Sequence, residues 1–230
     1  MSEPKPRQEE RPPTDPVTLS PGHPVTTPQP VIGLLGGVGS GKSAVAAELA
    51  QHGGWVINAD QFGHEALRQP EIRKQVVARF GSDILAADGA VDRKKLGAKV
   101  FTDAAELRAL EAIVFPFIGR RIREEIEEAR RRDGVRFIVL DAAVMLEAGW
   151  SGVCDKLVFV DAPRAVRLER VRRKRGWSEA DLQARESLQM PLDEKRRRAD
   201  VVLDNATTLD ALAPQAAALA RQWGLSSARE

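Results

Sequence analysis

Tyrosine is absent from the 230 residues. Cysteine occurs once, at Cys154, and histidine three times, at His23, His52 and His64. A single thiol excludes both a disulfide framework and a cysteine-built zinc cluster. The histidines are far apart in the sequence and lack metal-ligand spacing. No apolar run reaches the roughly 18 residues that a membrane-spanning helix needs. The first thirty residues contain no apolar stretch of the kind found in a secretory signal. These absences predict a soluble cytoplasmic protein without a membrane partner. Excess charge is also missing: 35 basic residues face 33 acidic ones, a net charge of +2. That does not point to nucleic acid, and the basic clusters carry no interleaved aromatics on which bases could stack.

Nine of the fourteen prolines fall within residues 1–30, where aliphatic periodicity is almost nil. This composition predicts a disordered tail. From Val31 onward, short apolar runs alternate with longer helical stretches. Val31–Leu35, Trp55–Asn58, Phe137–Asp141, Leu157–Asp161 and Val201–Asp204 read as strands covered on both faces. With helix-patterned segments between them, they predict an α/β domain over residues 31–222. Its parallel sheet should have about five strands, with helices on both faces. The gap between the second and third strands greatly exceeds a simple crossover, so residues 61–132 read as a helical insertion. Within it, Phe115-Pro116 should break or kink a helix running from Asp103 to Arg132.

The strongest signal follows the first strand: Gly36-Gly37-Val38-Gly39-Ser40-Gly41-Lys42-Ser43. In a chain of this composition the pattern G-x-x-x-x-G-K-S arises by chance in only roughly 0.4 % of cases. It sits between an apolar strand and a helix-forming run, as a phosphate loop should. Glycines let consecutive amides curl around a phosphate, and the helix N-terminus adds partial positive charge. Lys42 suits the β- and γ-phosphates, and the Ser43 hydroxyl suits Mg²⁺. No Asn-Lys-x-Asp guanine-reading motif occurs. The chain has what a small-molecule kinase needs: a phosphate loop, an acceptor carboxylate and a basic lid.

In a parallel sheet the strand C-termini face the ligand crevice, which places Asp60 and Asp141 on the rim beside the loop. Asp60 could orient and deprotonate an acceptor hydroxyl, or it could cap the next helix. Asp141 ends an apolar strand, as carboxylates that help hold Mg²⁺ do, or it marks a turn. Glu147 is a further rim acid. Arg164, Arg167, Arg170, Arg172, Arg173, Lys174 and Arg175 form a basic run that stops at Gly176, and a second helix restarts after Ser178. This hairpin, with Arg185 and Gln189 on its second arm, reads as a lid over about residues 172–192, although a solvated charged face would have the same composition.

Taken in order, several segments resemble the dephospho-CoA kinase family over roughly residues 31–212. They are the loop, Asn58-Ala59-Asp60, Leu140-Asp141 with Glu147, Arg170 through Ser178, Arg185 through Lys195, and Ala199-Asp200 through Asp204-Asn205. The loop is generic, whereas the segments from Arg185 onward are more particular to that family. The resemblance implies ATP-dependent phosphorylation of the ribose 3′-hydroxyl of dephospho-CoA, the last step of coenzyme A synthesis. It implies ATP and Mg²⁺, a nucleotide core (31–60 and 133–222), an acceptor-binding insertion (61–132) and the lid, in a protein expected to be monomeric. It assigns Asp60 as the base, with Lys42, Arg173 and Arg185 around the transferring phosphoryl group. Gly37 through Ser43 and Asn205 would bind nucleotide, Asn205 on the adenine side, and Ser43 with Asp141 would hold the metal. Four positions depart from the pattern: Asn58 for the first acid of Asp-Ala-Asp, Phe115 for a histidine, Ala143 for a proline, and Lys174 for a lid arginine. Phe115 either packs into the core or stacks on substrate. The departures leave two other readings: a kinase for another nucleoside or small alcohol, and a weakened nucleotide-binding protein acting through partners.

Overall fold

The computed structural model describes residues 29–207 and 209–223, so the tail expected over residues 1–30 lies outside it apart from its last two positions. Five parallel strands form the sheet: β1 (Val31–Leu35), β2 (Gly54–Asn58), β3 (Phe137–Asp141), β4 (Lys156–Asp161) and β5 (Val201–Asp204). Their spatial order is β2-β3-β1-β4-β5. All five were legible as apolar runs, with β2 and β4 each starting one residue earlier than the pattern suggests. β1 is central, and its residues and those of β3 are all buried.

Alternation along the strands divides the core in two. Ile32, Leu34, Phe137 and Val139 pack with Val45 and Leu49 of α1 (Lys42–Gln51) and with Leu212 and Ala216 of α9 (Leu209–Gln222). Val31, Leu35, Ile138 and Leu140 pack on the other face with Phe62 of α2 (Ala59–Ala66). The same face takes Phe117, Ile118 and Ile122 of α5 (Ala104–Arg130). Beyond that layer, Val76, Phe80, Ile84, Leu96 and Val100 form a separate small core. It joins α3 (Pro70–Phe80) and α4 (Arg93–Val100) within the insertion.

The break expected at Phe115-Pro116 is not there: α5 runs through Pro116 as one helix. The proline costs one backbone hydrogen bond, to Ala112, which is exposed to water. Val114 before it and Phe117 and Ile118 after it are all buried, and their packing outweighs that loss. Phe115 packs edge-to-face on Trp150 with ring centroids 5.1 Å apart, so it belongs to the hydrophobic face behind the sheet.

After β4, α6 (Arg164–Arg175) ends at Gly176, whose φ of 66° is left-handed and suits glycine at a helix end. The chain turns into α7 (Glu179–Glu186), started by a capping box between Ser178 and Asp181, and then into α8 (Leu192–Arg197). No helix among the described residues is long and apolar enough to cross a membrane.

Leu34 is fully buried in the central strand. Leu34→Ala should therefore lower unfolding free energy by about 2–5 kcal/mol in urea titrations. Burial pushes the Cys154 thiol up to about 12. At pH 8 a maleimide should leave the native protein unlabelled and label it once urea unfolds the chain.

Candidate active site

The phosphate loop leaves the C-terminal end of β1 and enters α1 through Gly41, which sits at φ 93°. Gly36 and Gly39 also adopt positive φ. A Cβ on Gly36 would come 2.7 Å from the Val160 carbonyl, and one on Gly39 2.7 Å from that of Arg167. Only glycine lets the loop lie this close to β4 and α6. The loop is braced from outside. Asn205 Nδ2 donates to the Ser40 carbonyl at 2.7 Å, as does Arg170 Nη1 at 3.1 Å. Arg167, only 4 % exposed, donates to the carbonyls of Val38 and Ala162 and pairs with Glu186 of α7. Asn205 is thus buried against the loop and does not line the cavity beside it.

Lys42 reaches back over the loop, donating to the carbonyls of Gly36 (3.1 Å) and Gly37 (3.3 Å). Burial pushes its pKa below the usual lysine value, opposed chiefly by Asp141. Ser43 Oγ donates to Asp141 Oδ2 at 2.7 Å. The register that sets Leu34 opposite Asp141 brings those two groups together.

Asp60 lies in the first turn of α2. Asn58, not Asp60, caps that helix: its side chain accepts from the Asp60 N–H at 3.0 Å. The cap leaves the Asp60 carboxylate free, which gives Asn58 a structural task at its position in the triplet. Asp60 is exposed on the rim, yet crowding by protein around its carboxyl raises its pKa above the ordinary carboxylate value. The Asp141 charge adds to that rise, while Lys42 and Arg175 oppose it.

A cavity of about 320 Å³ opens over the loop, walled by Lys42 and Ser43, by Phe101 and Glu111 of the insertion, and by Trp177 and Arg185 of the hairpin. Of the seven cations in the basic run, only Arg170, Lys174 and Arg175 line it. Lys174 and Arg175 reach it from the last turn of α6, whereas Arg173, exposed like them, is not part of that wall. Arg173, expected at the transferring phosphoryl, does not line this cavity, whereas Arg175 does. Arg164 pairs with Glu179, tying α6 to α7. Arg185 lies over the Phe101 ring at 3.3 Å and near Trp177 at 5.0 Å, so hairpin and insertion meet across the cavity.

Two residues escaped the sequence reading. Glu111 faces the cavity, and burial raises its carboxyl pKa, helped by the Glu147 charge. Lys195 is 1 % exposed and pairs with Glu147 at 2.8 Å. Its ammonium also donates to the Ala143 carbonyl and to Gln189. Glu147 accepts from the Met190 N–H as well, so it is engaged in structure and is not a free rim acid. The pair binds the segment after β3 to the end of the hairpin.

The family model for dephospho-CoA kinase matches residues 30–211. The chain belongs to the dephospho-CoA kinase family. It is 38 % identical over 193 residues to the dephospho-CoA kinase of Geobacillus kaustophilus, covering 84 % of this chain and 96 % of that one. It is 41 % identical over 187 residues to that of Anaeromyxobacter dehalogenans, covering 81 % and 88 %. Among solved structures, one from Thermus thermophilus superposes with a TM-score of 0.73 at 33 % identity, covering 87 % of this chain and all of that one. The dephospho-CoA kinase of Campylobacter jejuni shares the fold, with a TM-score of 0.61 at 21 % identity over 84 % and 96 %. The chain is thus a phosphotransferase of the P-loop kinase fold.

Truncating Glu147 would leave a buried ammonium without its counter-charge. Glu147→Ala should cost about 3–5 kcal/mol in urea unfolding, and the Glu147→Leu, Lys195→Met double variant should regain most of that loss.

Proposed function

We propose that this protein transfers the γ-phosphoryl group of ATP to the ribose 3′-hydroxyl of dephospho-CoA, giving CoA and ADP. One observation carries the reading most directly. The phosphate loop, the Ser43–Asp141 pair and the free Asp60 carboxylate share one rim of the sheet, under a hairpin that turns arginines toward them.

The loop amides and Lys42 bind the ATP phosphates, with Lys42 exchanging the Gly36 and Gly37 carbonyls for phosphate oxygens. The Ser43 hydroxyl and Asp141 carboxylate are hard oxygen donors, and the bond between them orients both. They fit Mg²⁺, which bound there with ATP would neutralise charge on the β- and γ-phosphates. Asp60 accepts the proton of the 3′-hydroxyl as that oxygen bonds to the γ-phosphorus and the bond to ADP breaks. Its raised pKa improves it as a base. Arg170, Lys174, Arg175 and Arg185 surround the phosphoryl group with positive charge. Contact between hairpin and insertion limits water, the competing acceptor.

Asp60→Asn should retain ATP binding by calorimetry while lowering CoA formation, followed by mass spectrometry, by on the order of 10²–10⁴-fold. Near-normal turnover in that variant overturns the base assignment. Because the base must be deprotonated, kcat/KM of the wild type should fall with decreasing pH through a pKa above the ordinary carboxylate range. Should the wild type bind ATP yet form no CoA, the acceptor assignment fails and a panel of nucleosides and small alcohols identifies the substrate.

A further inference from the structure

Val38 carries the only apolar side chain of loop residues 36–41, and the hairpin holds this residue twice. Its side chain packs with Leu168 and Val171 of α6, Leu182 of α7 and Trp177, in a small core of their own. Its carbonyl accepts from Arg167 Nη1 at 3.3 Å. The same nitrogen donates to the Glu186 carboxylate, while Nε donates to the Ala162 carbonyl just after β4, at 3.1 Å. The guanidinium lies so near the loop that a Cβ on Gly37 would come 2.9 Å from Nη1. One buried arginine thus joins the loop, the end of β4 and the last residue of α7.

Ion pairs hold both ends of α7 to α6, and they differ in strength. At the first residue, Glu179 pairs with Arg164, and both are exposed, so solvent weakens the attraction. At the last residue, Glu186 pairs with Arg167, whose side chain is 5 % exposed, so removing the Glu186 charge would leave a buried cation. Arg164 Nε approaches Glu186 only to 3.8 Å. The buried pair therefore sets where the C-terminal end of α7 lies. Arg185 stands next to Glu186, and consecutive helical residues point about 100° apart. Glu186 faces the loop through Arg167, whereas Arg185 faces the cavity, over the Phe101 ring at 3.3 Å.

The Val38 carbonyl and the Gly39 N–H belong to one planar peptide and point in opposite directions. A phosphate that takes the Gly39 N–H therefore turns the Val38 carbonyl toward Arg167, and Arg167 in turn aims that N–H at the phosphate. We propose that Arg167 is a positioning residue: its contact with Glu186 transmits the filled state of the phosphate loop to α7 and so sets Arg185 at the transferring phosphoryl group. The inference rests on the role given to Arg185 above. Arg167 itself does not line the cavity and acts only through its neighbours.

The test is a cycle of Glu186→Gln, Arg185→Gln and the double variant, read as CoA formation at saturating ATP and dephospho-CoA. Glu186→Gln should lower kcat on the order of tenfold. In the Arg185→Gln background the same change should lower it by no more than about twofold, because the residue it acts through is already gone. Wild-type kcat in Glu186→Gln overturns the proposal. Losses that multiply in the double variant overturn it as well, since a merely structural role gives that result. Hydrogen exchange reads the link without the acceptor. With Mg²⁺ and a non-hydrolysable ATP analogue, the amides of α7 in the wild type should exchange on the order of tenfold more slowly than without them, and Glu186→Gln should abolish that protection. Equal protection in both proteins, or none in the wild type, overturns the link. Should the wild type make no CoA, the acceptor assignment fails while the exchange measurement still decides the role of Arg167. If Glu186→Gln does not fold, Glu186→Asp, which keeps the charge but withdraws it by one methylene, takes its place with the same expected outcomes.

Discussion

A loop whose amides are to face a phosphate must have its carbonyls held elsewhere. In residues 36–41 that condition is met by side chains from distant parts of the chain. Asn205 and Arg170 hold the Ser40 carbonyl from beneath, and Arg167 holds the Val38 carbonyl from α6. The glycines make the turn possible, and these three side chains decide which way its polar groups point. Asn205 follows β5 directly, with its N–H on the Asp161 carbonyl, so the outermost strand pairing is coupled to the geometry of the loop.

The basic hairpin performs two tasks that composition does not separate. Arg164 and Arg167 join α6 to α7 through Glu179 and Glu186, and Arg167 reaches the loop as well. Lys174 and Arg175, in the last turn of the same helix, line the cavity. The earlier turns of α6 thus anchor the hairpin and the loop, while its last turn carries charge to the cavity. At its far end the buried Lys195–Glu147 pair ties the hairpin to the segment after β3, where the resemblance leads one to expect a proline in place of Ala143. The ammonium on the Ala143 carbonyl restrains a segment that the proline would have stiffened.

Two other positions at which the sequence departs from the pattern it resembles have structural tasks of their own. Phe115 is committed to Trp150 and the hydrophobic layer, so the polar contact of a histidine there is lost. Asn58 gives up an acid but caps α2, and that cap sets the direction of Asp60. A separate small core packs α3 against α4 within the insertion.

Local pattern alone determined the strands, the phosphate loop, the start of α7 at Ser178 and the position of Asp60 and Asp141 on the rim. Each follows from apolar spacing, glycine placement or capping chemistry within a few residues. At Pro116 packing on both sides of α5 outweighed one missing hydrogen bond and the helix is not broken, and of the two roles left open for Asp60 the cap went to Asn58. Only the tertiary structure decided which cations face the cavity, that Asn205 braces the loop, and that Lys195 neutralises Glu147. Those outcomes join residues up to 165 positions apart. A charge run reads the same in sequence whether its partners are an acid, a carbonyl or a phosphate, and it is the packing of the elements that selects among them.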